Sequence, residues 1–288
     1  IMKRLVILGG GESGVGTAIL GKQKGWEVFL SDRNSLKPHY REALDKEGVE
    51  WEEGTHTEEK ILSANVIMKS PGIPDKAPIV KKAREKGIRI ISEIEFASEY
   101  THSLIVGITG SNGKTTTTLL THQIFKDAGL QVGLGGNIGY SFAELVAAEN
   151  PPYYVLEISS FQLDGIEHFA PHIAVLLNIT PDHLDRYDYK FENYIASKFR
   201  IAMNQTENYF LIYDADDPVI EEWLQHHTLK TKLIPFSIEK ELPYGAFLKD
   251  NKIHIMLENQ TAETTEIDVE EISLRGKHNI KNTMAASV

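Results

Sequence analysis

Hydrophobic residues in the first hundred positions fall into short runs that alternate with stretches of helical periodicity. The runs predict four strands, Arg4–Leu8, Glu27–Ser31, Asn65–Lys69 and Ile88–Ile91. A helical pattern over Ala77–Lys86 ends at Gly87, where a helix C-cap is expected. Alternation of short strands with helices is typical of βαβ units. We therefore predict an α/β domain with a parallel sheet.

A second alternating series begins at Leu104. Its predicted strands are 104–109, 153–158, 173–178 and 209–213, and its predicted helices are 114–128 and 191–204. From 243 to 275 the period shifts toward two, as in KIHIML and TEIDV, which indicates a small antiparallel section. The polar stretch SEYTHS, 98–103, lies between the two series. We therefore predict one domain over 1–98 and a second α/β domain over 99–288.

The composition is that of an ordinary globular protein, with 41% hydrophobic and 25% charged residues. Acidic residues outnumber basic ones by 41 to 30, and this balance argues against a broad nucleic-acid surface. The absence of cysteine excludes disulfides, a thiol nucleophile and cysteine-ligated zinc. No window approaches the roughly 20 apolar residues of a membrane span. We expect a cytoplasmic monomer that binds neither nucleic acid nor membranes.

The first strand runs into a glycine-rich turn, ILGGGESGVG, whose glycines at 9, 11 and 14 form the pattern G-x-G-x-x-G before a helix. Glycines let the backbone approach an anion, and a helix N-terminus supplies free N–H groups. Asp32, at the tip of the next strand, is placed to accept hydrogen bonds from a ribose or a base. The stretch SPGI brings Ser70 and Gly72 to the same sheet edge. A dinucleotide site is one interpretation, and glycines that only shape a tight turn are the other.

A second glycine-rich turn, GITGSNGKTTTT at 107–118, follows an apolar strand. It misses the Walker A spacing G-x-x-x-x-G-K-[ST] by one residue, because counting back five from Gly113 gives Ile108. Lys114 and Thr115 nevertheless stand at the junction of turn and helix. There a lysine can bridge phosphate oxygens and a threonine hydroxyl can ligate Mg²⁺. We predict a nucleotide-binding loop, against the alternative of a chance glycine turn.

Two acidic or metal-ligating candidates follow this loop. Glu157 ends the apolar strand YYVLE, where a carboxylate can hold the Mg²⁺ of a nucleotide, and Ser159 and Gln162 come soon after it. A solvent-exposed acid at a strand end is the alternative. His183 lies in NITPDHLDRYD and is a candidate metal ligand. The alternative there is local, with Thr180 as a helix N-cap followed by proline at the first helical position.

Three further side chains are less specific candidates. Lys198 falls on the apolar stripe of the helix FENYIASKFRIAM, where it either snorkels to solvent or is a functional amine near the phosphates. Asn279 and Asn282 stand one helical turn apart in GKHNIKN. Asparagine amides pair with the N6/N7 edge of adenine. Asparagines that cap a helix would give the same pattern.

Taken together, these segments resemble the Mur ligase family, the ATP-dependent enzymes of bacterial peptidoglycan precursor synthesis. TGSNGKTTTT is similar to the nucleotide loop of that family, T-G-[ST]-x-G-K-[ST]. Further similar stretches occur in order along the chain: SPGI, GGNIG, LEISSFQL, DHLDRY, SKFRI and GKHNIKN. The resemblance implies a Rossmann-like domain that binds UDP rather than NAD, followed by a P-loop-type central ATPase domain. Its finer match is to the branch that adds D-glutamate to UDP-N-acetylmuramoyl-L-alanine through an acyl phosphate.

The resemblance also implies roles for individual residues. Those expected around the UDP-sugar are Ser13, Gly14, Asp32, Arg33, Ser70, Gly72, Asn137, Ser159 and Gln162. Those expected around ATP are Gly110, Ser111, Asn112, Gly113, Lys114, Thr115 and Thr116, with Asn279 and Asn282 at the adenine. Lys114, Glu157, His183 and Lys198 are the expected catalytic residues. Thr115, Glu157, His183 and a carbamylated Lys198 are the expected ligands of two Mg²⁺ ions.

Two departures from the family pattern carry expectations of their own. Related sequences often have an apolar residue where this chain has Glu12, and a carboxylate beside a diphosphate should point away from it. The family's third domain, which holds the amino acid, is not found in the sequence. We therefore expect this chain to bind the UDP-sugar and to ligate poorly or not at all on its own.

Competing hypotheses explain less of the chain. A nicotinamide-dependent dehydrogenase uses the first glycine turn and leaves the second, Glu157 and Lys198 without a role. A P-loop GTPase or kinase uses the second turn and not the first. A non-catalytic binding module is a different class. Within the family, the ligases that add L-alanine or diaminopimelate, and folylpolyglutamate synthase, are the alternatives.

Overall fold

The structure is a computed structural model that describes residues 1–257, 265–271 and 276–288. It divides into two compact units. The first unit comprises Ile1–Ser103, Gly135–Pro152 and Ser160–Phe169, and the second comprises Leu104–Leu134, Tyr153–Ser159 and Ala170–Val288. The domain boundary expected after residue 98 stays a prediction. No helix in the described part of the chain is long and apolar enough to cross a membrane.

The elements have the following bounds. The strands are β1 Arg4–Leu8, β2 Glu27–Asp32, β3 Glu50–Glu53, β4 Val66–Lys69, β5 Arg89–Ile91, β6 Leu104–Thr109, β7 Val132–Gly136, β8 Tyr153–Glu157, β9 Ile173–Leu176, β10 Phe210–Asp214, β11 Lys232–Ser237, β12 Gly245–Lys249, β13 Lys252–Met256 and β14 Thr265–Asp268. The helices are α1 Glu12–Gln23, α2 Pro38–Lys46, α3 Glu58–Leu62, α4 Pro78–Glu85, α5 Glu93–Ser98, α6 Lys114–Asp127, α7 Phe142–Ala148, α8 Ser160–Leu163, α9 Phe191–Phe199, α10 Pro218–His226 and α11 Lys277–Ser287. Short 3₁₀ turns cover Leu184–Tyr187, Arg200–Ala202 and Val269–Glu271.

The sheet of the first unit is parallel, with strand order β3-β2-β1-β4-β5. Its central strand β1 is fully buried from Leu5 to Leu8. Helix α1 lies close to that strand, since a Cβ on Gly21 would stand 2.9 Å from a methyl carbon of Leu5. The carboxyl ends of β1, β2 and β4 therefore open on one edge, which is where ligands bind in sheets of this kind.

The second sheet is mixed and has strand order β14-β13-β12-β11-β10-β9-β6-β8-β7 over the described residues. Strands β8, β6, β9, β10, β11 and β12 pair in parallel, and β12, β13 and β14 pair antiparallel. The α/β class and the antiparallel section predicted from the sequence are thus confirmed. Residues 258–264 and 272–275 of the predicted section lie outside the described residues.

The strand β6 sits between β8 and β9, so the chain enters the second sheet at its interior. The apolar core there combines Val106 and Ile108 of β6 with Phe236 of β11 and with Met284 and Ala285 of α11. Burial on both sides explains why β6 reads in the sequence as a continuous apolar run. The residues that follow β6, β8 and β9 meet at the carboxyl edge of this sheet.

Candidate functional site

The glycine turn of the first unit is shaped by close contacts at two of its glycines. A Cβ on Gly14 would stand 1.9 Å from the carbonyl oxygen of Gly9, and a Cβ on Gly9, where φ is +99°, would stand 2.6 Å from Ser70 Oγ. Gly11 is different, because nothing lies within 4 Å of the position its Cβ would take. Gly11 is also the N-cap of α1, with no side-chain cap. The N-terminus of α1 therefore has free space beside its N-cap residue, Gly11.

Asp32 and Ser70 lie at this turn, as predicted. Asp32 Oδ2 accepts a hydrogen bond from Gly10 N at 2.7 Å, and its Oδ1 accepts one from Asn34 N at 2.8 Å. Ser70 Oγ donates to the Gly9 carbonyl oxygen at 3.3 Å. Both side chains therefore hold the backbone of the turn in this structure.

The other residues expected around the UDP-sugar are more dispersed. Arg33, Gly72 and Asn137 are exposed, Ser13 is half-buried, and Gln162 is buried on α8. Ser159 belongs to the second unit, whereas the residues at 135–152 and 160–169 belong to the first. These assignments stay predictions.

Glu12, the departure from the family pattern, is exposed in the first turn of α1. Its charge acts on neighbouring groups in the first unit. Burial raises the pKa of Glu144, and the charge of Glu12 raises it further. The Tyr40 hydroxyl has a raised pKa for the same reasons, burial first and then the charges of Glu12 and Glu144.

The glycine turn of the second unit follows β6 and leads directly into α6. Gly113 has φ of +84°, a left-handed conformation that favours glycine, and a Cβ there would stand 2.6 Å from Asn282 Oδ1. Gly113 is the N-cap of α6 and provides no side-chain cap. We call Gly110–Thr116 the phosphate loop. Its last residues supply the N–H groups of a helix N-terminus, which suits an anion.

Lys114 lies folded over the phosphate loop. Its Nζ donates to the carbonyl oxygen of Gly110 at 2.8 Å. Burial lowers the pKa of this ammonium, while the carboxylates of Glu157 and Asp182 act in the opposite direction. The amine thus stands among the loop carbonyls.

Thr115 and Glu157 are in direct contact. Thr115 Oγ1 donates to Glu157 Oε2 at 2.9 Å, and Glu157 is only 3% exposed at the end of β8. The alternative of a solvent-exposed acid at a strand end is therefore wrong. A hydroxyl and a carboxylate oxygen side by side are donors of the type that Mg²⁺ prefers.

Lys198 is buried beside the same loop, with 2% exposure. Its Nζ donates to the carbonyl oxygen of Gly110 at 2.9 Å and to Thr109 Oγ1 at 3.1 Å, and it lies 5.6 Å from the centre of the Tyr194 ring. Snorkelling to solvent is thus wrong for this lysine. Two lysine amines, those of Lys114 and Lys198, converge on the single carbonyl oxygen of Gly110.

His183 occupies a left-handed conformation with φ of +50°. Its side chain is 53% exposed, and Nε2 lies 3.5 Å from Oδ2 of the adjacent Asp182. Residues 180–183 are not helical, and the short 3₁₀ turn starts at Leu184, so the interpretation of Thr180 as a helix N-cap is wrong. No cluster of three His, Cys, Asp or Glu side chains placed to hold a metal ion occurs among the described residues. His183 as a metal ligand stays a prediction.

Asn279 and Asn282 both lie within α11, whose N-cap is Gly276, so the helix-capping alternative is wrong. Asn282 is buried against Gly113, whereas Asn279 is half-buried and its carbonyl oxygen accepts from Thr283 Oγ1 at 2.8 Å. A small cavity lies beside the phosphate loop. Its lining residues are Asn112, Gly113, Leu177, Asn178, His278, Lys281 and Asn282.

The structure adds contacts of the phosphate loop that sequence reasoning missed. Asn178, two residues beyond β9, contacts the loop backbone at Ser111 and Asn112. Ser111 Oγ lies 2.9 Å from Tyr194 Oη and 3.0 Å from the carbonyl oxygen of Thr180. The signal that was available is a polar residue, Asn178, at the end of the apolar strand predicted over 173–178.

Comparison with known proteins finds two matching family models. Residues 108–288 match the Mur ligase middle domain, and residues 3–92 match the Mur ligase MurD-like N-terminal domain. Among curated relatives, the UDP-N-acetylmuramoylalanine--D-glutamate ligase of Christiangramia forsetii is 57% identical over 286 residues, and that of Bacteroides fragilis is 51% identical over 287. These matches cover 99% and 100% of this chain. The chain spans 64% of the length of each relative.

Solved structures show the same fold at low sequence identity. A murein peptide ligase from Psychrobacter arcticus superposes with a TM-score of 0.62 at 21% identity, over 99% of this chain and 64% of that one. A UDP-N-acetylmuramate:L-alanyl-gamma-D-glutamyl-meso-diaminopimelate ligase from Neisseria meningitides superposes with a TM-score of 0.63 at 21% identity, over 99% and 92%. The likeness to these structures concerns the fold alone. From the two family models and the relatives above 50% identity, this chain belongs to the Mur ligase family.

Proposed function

We propose that the full-length protein carrying this chain is an ATP-dependent ligase that joins D-glutamate to UDP-N-acetylmuramoyl-L-alanine. The relatives above 50% identity have names that describe this reaction. In this proposal the second unit binds ATP and the first unit binds the UDP-sugar. Both substrates belong to the cytoplasm, and we propose that the protein acts there as a monomer.

The observation that carries the proposal is the charge arrangement at the phosphate loop. Two lysine amines, of Lys114 and Lys198, share the carbonyl oxygen of Gly110, next to the open N-terminus of α6. Before carbamylation both amines are available to an anion, and after carbamylation of Lys198 the Lys114 ammonium remains to face it. A nucleotide phosphate is such an anion, and the helix N-terminus adds N–H donors for it.

Thr115 and Glu157 fit a Mg²⁺ ion, because their hydroxyl and carboxylate oxygens already lie together. When bound, the ion neutralises negative charge on phosphate oxygens. We propose His183 and a carbamylated Lys198 as further ligands, for two Mg²⁺ ions in all. A lysine ammonium repels a cation, so Lys198 fits only as a carbamate. In that reaction its unprotonated nitrogen attacks CO₂, a nitrogen–carbon bond forms and one proton leaves.

The proposed reaction has two steps. First, a carboxylate oxygen of the L-alanine residue attacks the γ-phosphorus of ATP, and the bond between that phosphorus and ADP breaks, which gives an acyl phosphate and ADP. Lys114 and the N–H groups that begin α6 stabilise the charge on the transferred phosphoryl group. Second, the amine of D-glutamate attacks the acyl carbon. The carbon–oxygen bond to phosphate then breaks, and the nitrogen loses a proton.

In the first unit, we propose that the N-terminus of α1 faces the diphosphate of the UDP-sugar. The open position at Gly11 and the uncapped helix end support this role. Asp32 accepts main-chain hydrogen bonds at the turn. We propose that it either shapes the turn for the ligand or accepts a hydrogen bond from the ligand as well. An NAD site at the same turn is the competing assignment.

The test has two parts. Titration calorimetry of this 288-residue chain compares UDP-N-acetylmuramoyl-L-alanine with NADH, and we expect heat of binding from the UDP-sugar alone. In the full-length protein, we expect ADP release that requires the UDP-sugar and D-glutamate together. Release supported by L-alanine with UDP-N-acetylmuramate, or by diaminopimelate, would assign the protein to another branch of the family. Binding of NADH and no binding of the UDP-sugar would contradict the proposal.

A further inference from the structure

The side chain of Asn178 makes three hydrogen bonds to the backbone of the phosphate loop. Its Oδ1 accepts from Ser111 N at 2.9 Å and from Asn112 N at 2.8 Å, and its Nδ2 donates to the carbonyl oxygen of Asn112 at 2.9 Å. The main-chain oxygen of Asn178 also accepts from Ser111 N at 3.1 Å. One amide group thus fixes three successive peptide units of the loop.

The direction of these bonds divides the loop N–H groups into two sets. Those of Ser111 and Asn112 point at Asn178, so they are occupied. Those from Gly113 to Thr116 belong to the start of α6 and stand at the uncapped helix end. The second set is the one that an anion meets.

A primary amide is the side-chain group that suits this position. It presents a carbonyl acceptor and an N–H donor in one plane, whereas a carboxylate is an acceptor alone and an aliphatic side chain is neither. The neighbouring contacts of Ser111 Oγ with Thr180 and Tyr194 are made by different atoms, so they persist when Asn178 is replaced. Loss of the Asn178 amide should therefore loosen the loop at Asn112 and leave the second unit folded.

We propose that Asn178 is a positioning residue that holds the phosphate loop in its nucleotide-binding shape before the nucleotide arrives. The proposal rests on the proposed function insofar as the ligand is ATP. Pre-ordering of a binding loop raises affinity, because the cost of ordering the loop does not fall on the binding step. Asn178 also lines the cavity beside Gly113 and Asn282, so the same residue joins the loop to the wall of that cavity.

The experiment uses this chain with Asn178→Leu and Asn178→Asp. The matched control is Asn65→Leu, which removes a side-chain acceptor for a main-chain N–H, that of Arg4 at 2.8 Å, in the first unit. The first readout is amide hydrogen exchange without nucleotide, followed by NMR at Ser111 and Asn112. The second readout is the affinity for Mg²⁺-ADP by titration calorimetry, with circular dichroism to show that each variant is folded.

In Asn178→Leu we expect exchange at Asn112 to speed up by about tenfold or more, and affinity for Mg²⁺-ADP to fall by about tenfold, from the loss of three hydrogen bonds. Ser111 should change less, because its N–H keeps the main-chain oxygen of Asn178. Asn178→Asp keeps the acceptor, so exchange at Asn112 should stay slow. Its affinity should still fall, because a carboxylate repels both the Asn112 carbonyl and phosphate.

Wild-type exchange at Asn112 and wild-type nucleotide affinity in folded Asn178→Leu would overturn the proposal. An equal loss of affinity in Asn65→Leu would also overturn it, because the effect would then be general destabilisation. If the wild-type chain binds neither Mg²⁺-ADP nor Mg²⁺-ATP, the proposed function fails. Faster exchange at Asn112 in Asn178→Leu would still support the positioning role of Asn178 in that case.

Discussion

The two glycine turns of this chain have the same strand–turn–helix form and differ in their surroundings. At the first turn, the neighbouring side chains are an acid, Asp32, and a hydroxyl, Ser70. At the phosphate loop, two lysine amines meet the Gly110 carbonyl, and a buried carboxylate, Glu157, contacts the hydroxyl of Thr115. Both backbones present a helix N-terminus that suits an anion, and only the second turn adds two amines, a hydroxyl and a carboxylate, which is why we propose the metal-bound triphosphate there.

The difference teaches that a glycine pattern specifies a backbone shape more than a ligand. The first turn matches the dinucleotide pattern in full, yet the ligand that we propose there is a UDP-sugar. The second turn fails the Walker A count by one residue and still places a lysine, a threonine and an acid together. The side chains at the ends of adjacent strands carry the chemical information.

The largest expected effect comes from Glu157→Gln in the full-length protein. The amide keeps the size of the side chain and loses the charge that Mg²⁺ requires, so ADP release should fall by about 10²–10³-fold. Affinity for the UDP-sugar should not change, because the site that we propose for that ligand lies in the first unit. Glu207→Gln, an exposed acid of the second unit, is the control and should keep wild-type turnover. Wild-type turnover in Glu157→Gln would contradict the proposal that the second turn, unlike the first, holds a metal-bound nucleotide.

The next effect concerns the free energy of unfolding of the first unit. Glu95 is fully buried, and its Oε1 accepts hydrogen bonds from the main-chain N–H groups of Glu167, His168 and Phe169 at 2.7–2.8 Å. Glu95→Ala should destabilise that unit by about 3 kcal/mol, because it leaves buried donors unsatisfied. Glu95→Gln keeps an acceptor oxygen and should cost less.

Urea unfolding followed by tryptophan fluorescence measures this change. Trp26 belongs to the first unit and its ring lies 5.9 Å from Phe96, the residue after Glu95. Affinity for Mg²⁺-ADP in the second unit should stay at the wild-type level in both variants. An unchanged unfolding midpoint in Glu95→Ala would contradict the conclusion that Glu95 stabilises the first unit through these main-chain hydrogen bonds.

Lys114→Met should weaken binding of Mg²⁺-ADP to this chain by about 10- to 100-fold, the loss of one charge-assisted interaction with phosphate. Lys126→Met, at the other end of α6, is the matched control and should bind normally. Calorimetric titration of both variants gives the comparison. Equal affinities would show that the lysine of the phosphate loop does not contact the nucleotide.

A smaller effect is a pH dependence confined to the first unit. Burial raises the pKa of Glu93 to about 7, and its Oε1 is a buried oxygen with no hydrogen-bond partner in the described part of the structure. Its ordinary pKa is 4.5, so between about 4.5 and about 7 the unfolded chain is ionised while the folded chain keeps the proton. The unit should therefore lose stability as pH rises through this range and change no further above it.

Glu93→Gln should abolish this decrease of the free energy of unfolding with pH, which is at most about 1.4 kcal/mol per pH unit. Urea titrations at several values between pH 4.5 and pH 8 measure it. Glu47→Gln, an exposed acid of the same unit, is the control and should keep the slope. A wild-type slope in Glu93→Gln would assign the pH dependence to other groups.

Much of the fold followed from local patterns, because apolar runs such as Leu5–Leu8 and Ile105–Ile108 are buried on both faces. The edge strand β3 was missed, since its sequence EWEE is charged and three of its four residues are only half-buried. The helix expected after Pro181 is absent from residues 180–183, where His183 takes a left-handed conformation instead. Local capping signals did not overcome the tertiary contacts that Thr180 makes with Ser111.

The candidate site divides in the same way. The sequence predicted Lys114, Thr115 and Glu157 as neighbours because each stands at a strand end or a helix start, and their roles stay predictions. Asn178 was missed, because its contacts with the loop require β9 to pair with β6. The order of strands in a sheet cannot be predicted from the sequence of either strand alone. The roles of His183, Asn279 and the residues around the UDP-sugar stay predictions, because they depend on bound ligands.

The most direct test of the two-site account is a sequential calorimetric titration of this chain. The chain is first saturated with UDP-N-acetylmuramoyl-L-alanine and then titrated with ADP, once with Mg²⁺ and once with EDTA. The account predicts that ADP still binds with one site per chain, and that EDTA weakens ADP binding without releasing the UDP-sugar. Competition between the two ligands, or ADP binding that is the same in EDTA, would contradict it.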